Sequence, residues 1–321
     1  MLGMFTFSII TPVYNGADFI AETVDSVLNA AREFSFEYLV VDDGSLDSTS
    51  KILMGYGSKI TVISQENLGQ SAAISKAISQ AVGDYLLIVN ADDPLITGDL
   101  LSDAKQILDK DPSVVATYPD WQMIDKSGKV IETVLVKDFS IEELVGKFNC
   151  LIGPGGVFRT VAAKQIGGWS TNYKFVPDYE FWLLLVDYGK FQHIPKIQAT
   201  WRTHEQSISI GSRSAEMAAE RIRVISDYVV RHPELPQYLK RMAVANSQYR
   251  AAVLSYFDPS IKGRKLMLKS MKLYPRILLE KDMRVVLFLL FLPISRQITR
   301  ILNRLVSLKN LETSLRRSIK G

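Results

Sequence analysis

The sequence predicts an α/β fold in which a mostly parallel, Rossmann-like sheet is flanked by helices and followed by a helical C-terminal appendage. From residue 6 to about 118, short apolar runs typical of strands alternate with amphipathic stretches typical of helices. Such alternation indicates a parallel sheet with helices on both faces. Acidic pairs follow two of the predicted strands, and beyond residue 211 almost every segment is compatible with helix.

The predicted elements follow one another in a regular order. Strands are expected at 6–11, 37–41, 59–64, 84–89 and 113–118, with helices at 17–31, 47–55, 69–81 and 98–109. A hairpin with Ser127-Gly128 at its turn comes next, then a short helix ending at Ile166, a helix at 177–188 and a strand at 197–201. Prolines interrupt the helical pattern beyond this point. We therefore place one domain at 1–210 and a helical region at 211–321.

Composition and length set the broad class of the protein. The 321 residues are 47% apolar and 22% charged, which is typical of a globular protein with a substantial core. The single cysteine, Cys150, excludes an internal disulfide framework and fits a reducing compartment. The first residues lack the basic and apolar segments of a signal peptide. We therefore expect a cytoplasmic protein.

Charge is distributed unevenly along the chain. Residues 260–321 contain 15 Lys and Arg against three acidic residues, a net charge of +12, so the rest of the chain is acidic. Within this segment Val285–Leu292 is an apolar run, far shorter than the ~20 residues that span a bilayer as a helix. An apolar run with basic flanks favours the surface of an anionic membrane.

Three arginines extend this basic region beyond the apolar run. Arg296, Arg300 and Arg304 recur at a spacing of four and would line one helical face. Two alternatives remain for the whole region, a buried helix of the C-terminal bundle or a contact between copies in a homo-oligomer. Nucleic acid is a weaker candidate partner, because no aromatic residues are interleaved with the basic ones to stack on bases.

The acidic pairs Asp42-Asp43 and Asp92-Asp93 end two predicted strands. Asp is also an ordinary turn and helix-capping residue, which is the alternative for either pair alone. In open α/β sheets, however, ligands bind beyond the carboxyl ends of the strands. Two pairs on separate strands of one sheet therefore predict a metal and nucleotide site.

Several segments in a fixed order carry a family resemblance. They are Ser8–Asn15, Val41–Thr49, Glu66–Ala73 and Gly83–Asp93, then Gly167–Trp169, Val176–Trp182 and Trp201–His204. Together they resemble the family 2 glycosyltransferases, an inverting, nucleotide-sugar-dependent class with the GT-A fold. The resemblance covers about two thirds of the chain.

The first segments of the resemblance imply a nucleotide site. Tyr14 would stack on the base, which we expect to be uracil, and the backbone around Thr11 and Pro12 would contact its edge. Asp43 would accept a hydrogen bond from the base, supported by Asp42. The alternative for the first segment is a turn after a strand.

The segment Asn90–Asp93 resembles the family's DXD region, which implies a divalent cation, Mg²⁺ or Mn²⁺, on the donor diphosphate. Asp92 and Asp93 would provide oxygen ligands, which such hard cations prefer, and Asp92 would also contact the donor. His204 matches a histidine near the metal or diphosphate. Asn90 stands where the family most often has Asp, which we interpret as a variant site.

Two further positions bear on the donor and the sugar pocket. Arg202 could serve the phosphates as a fixed positive charge. Ile74-Ser75 replaces an Arg-Asn pair that many members carry, which leaves the donor's identity open. Trp169 would shape the sugar or acceptor pocket, or else belong to the core.

Asp178 resembles the family's catalytic base, which removes the proton of the acceptor hydroxyl as that oxygen attacks the sugar. Glu180, on the same first turn of the predicted helix, is the second choice. Read locally, an acidic residue beside Pro177 is also a common device at the start of a helix.

The resemblance implies a hexosyltransferase that moves one sugar from a UDP-sugar to a hydroxyl of a glycan or lipid-linked acceptor. The Gln-x-x-Arg-Trp motif of processive members is absent, which favours a single transfer. A role in cell-surface polysaccharide or lipopolysaccharide synthesis, peripheral at the cytoplasmic face of the inner membrane, follows from the family and the basic region. The rivals are a nucleotidyltransferase and a catalytically silent nucleotide-sugar-binding subunit.

Overall fold

The computed structural model describes residues 5–96, 99–204, 213–256 and 258–291. The chain divides into two compact units. The first unit comprises residues 1–139, 151–173 and 177–207, and the second comprises 140–150, 174–176 and 208–321. The sequence suggested a single boundary near 210. It gave no sign that two short segments before that boundary, 140–150 and 174–176, belong with the second unit.

In the first unit, the described residues form eight strands and six α-helices. The strands are β1 (Phe5–Val13), β2 (Phe36–Asp42), β3 (Thr61–Ser64), β4 (Gly83–Ile88), β5 (Val114–Ile124), β6 (Val130–Val134), β7 (Val157–Arg159) and β8 (Lys190–Arg202). The helices are α1 (Ile20–Ala31), α2 (Thr49–Met54), α3 (Gln70–Gln80), α4 (Asp99–Lys110), α5 (Thr160–Ile166) and α6 (Pro177–Leu185).

The strands form one mixed sheet in the order β3-β2-β1-β4-β7-β5-β6, with β8 also paired to β5. The first four are parallel, as expected, and β7 lies antiparallel between β4 and β5. Since β8 runs parallel to β5, the carboxyl ends of β1, β2, β4 and β8 share one edge. Ligands bind at this edge in open α/β sheets.

The central strands are buried on both faces, which explains their nearly continuous apolar sequences. In β1, residues 7 to 13 are all buried, and Phe7 and Ile9 join a core with Val24 of α1 and Leu101 of α4. Thr11, one of the buried polar residues of this strand, is satisfied inside the sheet because its Oγ1 lies 2.9 Å from the hydroxyl of Tyr38.

β5 is longer than the sequence suggested. We expected a strand ending at residue 118 before the hairpin, but the strand continues through Pro119 to Ile124. Proline removes a ladder donor, and the register with β8 shifts between Pro119 and Asp120 to accommodate it. The predicted hairpin is confirmed, since β6 pairs antiparallel with β5 and Gly128 has a φ of +85°.

The second unit is helical in its described part. Its helices are α7 (Ser214–Arg231), α8 (Gln237–Val253), α9 (Gly263–Leu273), α10 (Ile277–Glu280) and α11 (Met283–Phe291), with a short π-helical turn at Glu142–Gly146. Within the described ranges, no helix combines the length and apolar content needed to cross a membrane.

Part of the apolar run at 285–292 is buried in the second unit. Val285, Val286 and Leu289 of α11 are fully buried and pack into the core of the second unit with Met267 of α9. The buried-helix alternative is therefore what the structure shows for these side chains. Arg296, Arg300 and Arg304, predicted to form a basic helical face, lie outside the described residues.

We predict that Gly83→Ala destabilises the first unit by about 1–3 kcal/mol. A Cβ at Gly83 would lie 2.6 Å from the backbone of Phe7 and Ser8, so β1 and β4 would have to separate. The midpoint of urea unfolding measures the effect. Val82→Ala, at an exposed neighbouring position, is the control and should stay within about 0.5 kcal/mol of the wild type. Equal midpoints for both variants would contradict the packing argument.

Candidate active site

The loops after β1 and β2 are held together by side chains that the sequence had assigned to the nucleotide site. Asn15, whose φ is +50°, donates its backbone N–H to Ser45 Oγ at 3.0 Å and accepts from Leu46 N–H at 2.8 Å. Asp42 Oδ1 accepts from Ser45 N–H at 2.9 Å. Tyr14 stays 46% exposed beside this framework. Its ring is therefore available for stacking on a ligand.

Asp43 is 3% exposed, and protein donors surround its carboxylate. Oδ1 accepts from Gln65 Nε2 at 2.7 Å and from Leu68 N–H at 2.9 Å, while Oδ2 accepts from Gly69 N–H at 2.8 Å. Asp43 thus positions the loop before α3. Sequence reasoning missed this structural task, and the predicted hydrogen bond to a base stays a prediction.

Thr11 and Pro12 are also buried. The Thr11 side chain is directed into the sheet, where its hydroxyl meets that of Tyr38. A ligand contact here would have to come from the backbone, as the sequence analysis expected, and that contact stays a prediction.

A cavity of about 360 Å³ opens between the two loops. Its lining consists of Asn15, Asp18, Phe19, Leu46 and Asp47. Phe19 also contacts the His204 ring, with centroids 5.0 Å apart, and the guanidinium of Arg202 at 5.1 Å. Phe19 therefore lines the cavity and also contacts residues at the end of β8.

After β4, Asp92 and His204 form a pair. Asp92 Oδ2 lies 2.9 Å from His204 Nε2, and the two side chains are 29% and 12% exposed. These predicted metal ligands are 112 positions apart in sequence. The structure brings them together because β4 and β8 end at the same edge of the sheet.

Asp93 is placed differently from its neighbour. Its Oδ1 accepts from the backbone N–H of Arg202 at 2.7 Å, its Oδ2 accepts from Asn90 Nδ2 at 2.9 Å, and the residue is 3% exposed. Burial, and then the charge of Asp92, raise the pKa of Asp93 to about 8 against the opposing effect of these donors. The geometry favours a positioning role for Asp93 over direct metal ligation.

Asn90, the departure from the family's DXD pattern, has a defined structural task. Its Nδ2 donates to Asp93 and its Oδ1 accepts from Gln70 Nε2 at 2.9 Å. An aspartate here could not donate to Asp93 unless it were protonated. The amide therefore suits a position that must contact a buried carboxylate.

Arg202 was predicted to contact phosphates, but its side chain is only 1% exposed. Nε donates to the Asp92 carbonyl at 2.8 Å, and Nη1 donates to the carbonyls of Asp125 and Lys126 at 3.3 and 3.1 Å. Nη2 donates to the Glu22 carboxylate at 2.7 Å. The guanidinium therefore stabilises the loops at this edge of the sheet through hydrogen bonds. The geometry favours this structural role over contact with a phosphate. Sequence inspection offered no signal for Glu22.

Asp178, the predicted base, lies half-buried in the first turn of α6. Glu180, the second choice, is 7% exposed and so is less accessible to an acceptor. Of the two, Asp178 is better placed to meet a substrate, although its catalytic role stays a prediction.

The Gly167–Trp169 loop and the departure at Ile74-Ser75 meet in space. Ser75 Oγ donates to the Trp169 carbonyl at 2.7 Å, and a Cβ at Gly168 would lie 2.8 Å from that hydroxyl. Ile74 is fully buried. Ile74 and Ser75, which replace the family's Arg-Asn pair, therefore both contribute to the packing of the first unit. Ser75 also positions the predicted pocket residue Trp169.

The side chains around Asp92 and His204 are the candidate ligands of a divalent cation. Among the described residues, no three His, Cys, Asp or Glu side chains are close enough to hold a metal by themselves. Mg²⁺ and Mn²⁺ commonly take one or two carboxylates and complete their shell with substrate phosphates and water. Asp92 and His204 fit such a two-ligand site.

Known proteins are similar to this chain in sequence. Residues 8–157 match the family described as "Glycosyl transferase family 2". An uncharacterized glycosyltransferase of Rickettsia typhi is 31% identical over 207 residues, which are 62% of this chain and 64% of that protein. The chondroitin synthase of Pasteurella multocida is 27% identical over 87% of this chain but only 27% of its own length. The chain spans less than two thirds of these curated relatives.

Solved structures show the same fold. TarS 1–349 of S. aureus, in complex with UDP-GlcNAc, is 19% identical with a TM-score of 0.56, covering 84% of this chain and 89% of that one. The mannosyltransferase PcManGT of Pyrobaculum calidifontis, in complex with GDP-Man and Mn²⁺, is 14% identical with a TM-score of 0.62, covering 98% and 85%. The fold is that of the GT-A glycosyltransferases. Residues 8–157 form a glycosyltransferase family 2 domain.

We predict that the stability of the metal-free protein falls as pH rises from about 4 to 8, and that Asp93→Asn flattens this fall. The pKa of Asp93 is raised to about 8 in the folded protein, so the folded state holds a proton that the unfolded state has released. The difference is on the order of a few kcal/mol. Urea unfolding at pH 5, 6.5 and 8 in EDTA measures it.

Asp99→Asn is the matched control, because Asp99 is exposed at the start of α4. That variant should keep the wild-type pH slope. A slope that Asp93→Asn leaves unaltered would show that Asp93 does not hold the proton.

Proposed function

We propose that this protein is an inverting glycosyltransferase that moves one sugar from a nucleotide-diphosphate donor, expected to be a UDP-sugar, to a hydroxyl of a glycan or lipid-linked acceptor. The observation that carries the proposal is the Asp92–His204 pair at the carboxyl edge of the sheet. TarS with UDP-GlcNAc and PcManGT with GDP-Man support a nucleotide-sugar donor. The chondroitin synthase relative supports a role in surface polysaccharide or lipopolysaccharide synthesis.

In this proposal the donor's base stacks on Tyr14, whose ring is exposed next to the cavity between the two loops. Asp43 accepts a hydrogen bond from the base while its other contacts hold the Gln65–Gly69 loop in place. An oriented, buried acceptor of this kind discriminates against bases that lack the matching donor.

The diphosphate end of the donor would lie next to Asp92 and His204. These two side chains would hold a divalent cation, Mg²⁺ or Mn²⁺, whose charge offsets the negative charge of the leaving diphosphate. Asp93 and Arg202 keep the backbone of Asp92 in place through their own bonds. Separating ligand and support in this way fixes the geometry of the site.

Asp178 is the proposed catalytic base. Its carboxylate takes the proton from the acceptor hydroxyl while that oxygen forms a bond to the anomeric carbon. The bond from this carbon to the diphosphate oxygen breaks on the opposite face, so the configuration inverts. Trp169, positioned by Ser75, would form part of the pocket for the sugar or acceptor.

We further propose that the protein works at the cytoplasmic face of the inner membrane, held there peripherally by basic helices of the second unit. The charge of residues 260–321 supports this location. A lipid-linked acceptor would then be within reach of the enzyme.

We predict that Asp178→Asn lowers the rate of transfer by about 10²–10⁴-fold, the usual contribution of a general base. UDP release from a panel of UDP-sugars, with and without Mn²⁺, measures turnover with candidate acceptors and tests the silent-subunit alternative. UDP binding should be unaltered, because the base contacts the acceptor side. Asp187→Asn, an exposed position just after the same helix, is the control. Transfer at the wild-type rate by Asp178→Asn would refute this role.

We predict that Asp92→Asn and His204→Ala each weaken Mn²⁺ binding in the presence of UDP by about tenfold or more. Electron paramagnetic resonance of free Mn²⁺ measures this without any turnover. Asp99→Asn, which removes a carboxylate at an exposed position at the start of α4, should keep the wild-type Mn²⁺ affinity. If all three variants bind Mn²⁺ as the wild type does, the Asp92–His204 pair is not a metal site.

A further inference from the structure

The second unit carries a groove of about 750 Å³ along α9, which we call the α9 groove. Five basic side chains line it, together with the apolar side chains of Ile261 and Leu268. The basic residues are Lys262, Arg264, Lys265, Lys269 and Lys272. Leu268 is 48% exposed. The groove thus combines an apolar floor with a basic rim.

The packing of α9 fixes which of its faces is exposed. Gly263, Met267 and Ser270 are buried, and Ser270 Oγ donates to the Ala245 carbonyl of α8 at 2.7 Å. A Cβ at Gly263 would lie 2.1 Å from Ser255 Oγ, so the helix start fits closely and cannot rotate. The opposite face is therefore held outward.

Residues three and four positions apart share one face of a helix. Lys265, Lys269 and Lys272 follow this spacing, and Leu268 lies among them. All four are exposed. The sequence therefore places a basic stripe with an apolar centre on the outward face of α9.

The charge of this face is not balanced locally. No Asp or Glu lines the groove, and across the described residues none of its five basic side chains forms an ion pair. Like charges at this spacing repel one another and destabilise an isolated helix. An anionic partner would relieve that repulsion.

We propose that the α9 groove is the membrane-docking site of this protein and binds the headgroups of anionic phospholipids at a bilayer surface. The basic rim meets the phosphates, and Leu268 and Ile261 lie toward the acyl chains while the lysine stems cover apolar surface. This inference rests on the membrane association proposed above and assigns it to one face. Three apolar residues of α11, Val285, Val286 and Leu289, are buried and not available for such a contact, although Met283 and Leu287 are exposed.

Other partners fit the groove less well. No aromatic side chain lines it, so nucleic acid bases have nothing on which to stack. Protein interfaces are usually anchored by aromatic residues, Met or Arg, and of these the lining has only Arg264. Two copies of the protein would not pair through this groove, because their basic rims would face and repel each other.

The test is co-sedimentation of the full-length protein with vesicles of phosphatidylglycerol and phosphatidylcholine, compared with phosphatidylcholine alone. The variant is Lys265→Gln, Lys269→Gln and Lys272→Gln together, since glutamine keeps length and helix propensity. Each basic residue near an anionic surface adds about one kcal/mol, so we expect a roughly 100-fold loss of binding. Binding by the wild type should also fall steeply with salt.

The control carries the same loss of charge on the first unit, as Lys59→Gln, Lys110→Gln and Lys164→Gln. All three positions are exposed. This control should bind vesicles as the wild type does. Leu268→Asn alone should weaken binding by a smaller factor that salt does not change, which would support the apolar contact.

Several outcomes would overturn the inference. They are equal vesicle binding by the α9 variant and the wild type, an equal loss in the control, or retention of wild-type protein on neutral vesicles. A changed oligomeric state in the α9 variant with unchanged vesicle binding would assign the groove to a second copy. UDP binding, measured in parallel by calorimetry, tests the proposed enzyme separately, because the α9 residues should not affect it.

Discussion

The arrangement of the candidate site depends on the buried guanidinium of Arg202. Its donors reach the carbonyl after β4, the turn between β5 and β6, and a carboxylate on α1, while its backbone N–H meets Asp93. A buried charge is tolerable only when it is paired and hydrogen-bonded. Lysine, with one compact ammonium, could not span these acceptors as a planar guanidinium does. The position of Asp92, and with it the contact to His204, follows from this one side chain.

This arrangement divides the acidic pairs differently from what their sequence suggests. Each pair contains an aspartate that accepts a hydrogen bond from a backbone N–H group. Asp42 accepts from Ser45, and Asp93 accepts from Arg202 at the end of β8. Asp43 also carries a loop, and Asp92 is the member whose carboxylate stays partly open to solvent. Carboxylates at strand ends thus serve first as acceptors for loop N–H groups. In the proposed mechanism, a ligand would meet the partly exposed Asp92 in the second pair and the buried Asp43 in the first.

Sequence patterns predicted the parallel half of the sheet well, because buried strands and amphipathic helices repeat at different periods. They did not predict that β7, only Val157–Arg159, inserts antiparallel between β4 and β5, since three residues carry no period. Family motifs brought Asp92 and His204 into one hypothesis before the structure joined them. The hydrogen bonds made by Arg202 and Asn90 could not be predicted from the sequence, because burial and hydrogen-bond partners depend on tertiary contacts. For α11 the sequence left burial as one of several alternatives, for the same reason.

The composition of the site has a consequence for how its ligands bind. In the proposed site, Asp92 and His204 would be the two side chains that the protein supplies to a cation, so most of the coordination shell would come from the diphosphate and water. Cation and donor then each complete the site for the other, and such coupling is reciprocal in free energy. A third protein ligand would hold the cation without donor and would remove this dependence. Because Asp93 is committed to the Arg202 backbone, the proposed metal site would have few protein ligands, and the nucleotide sugar itself would form part of it.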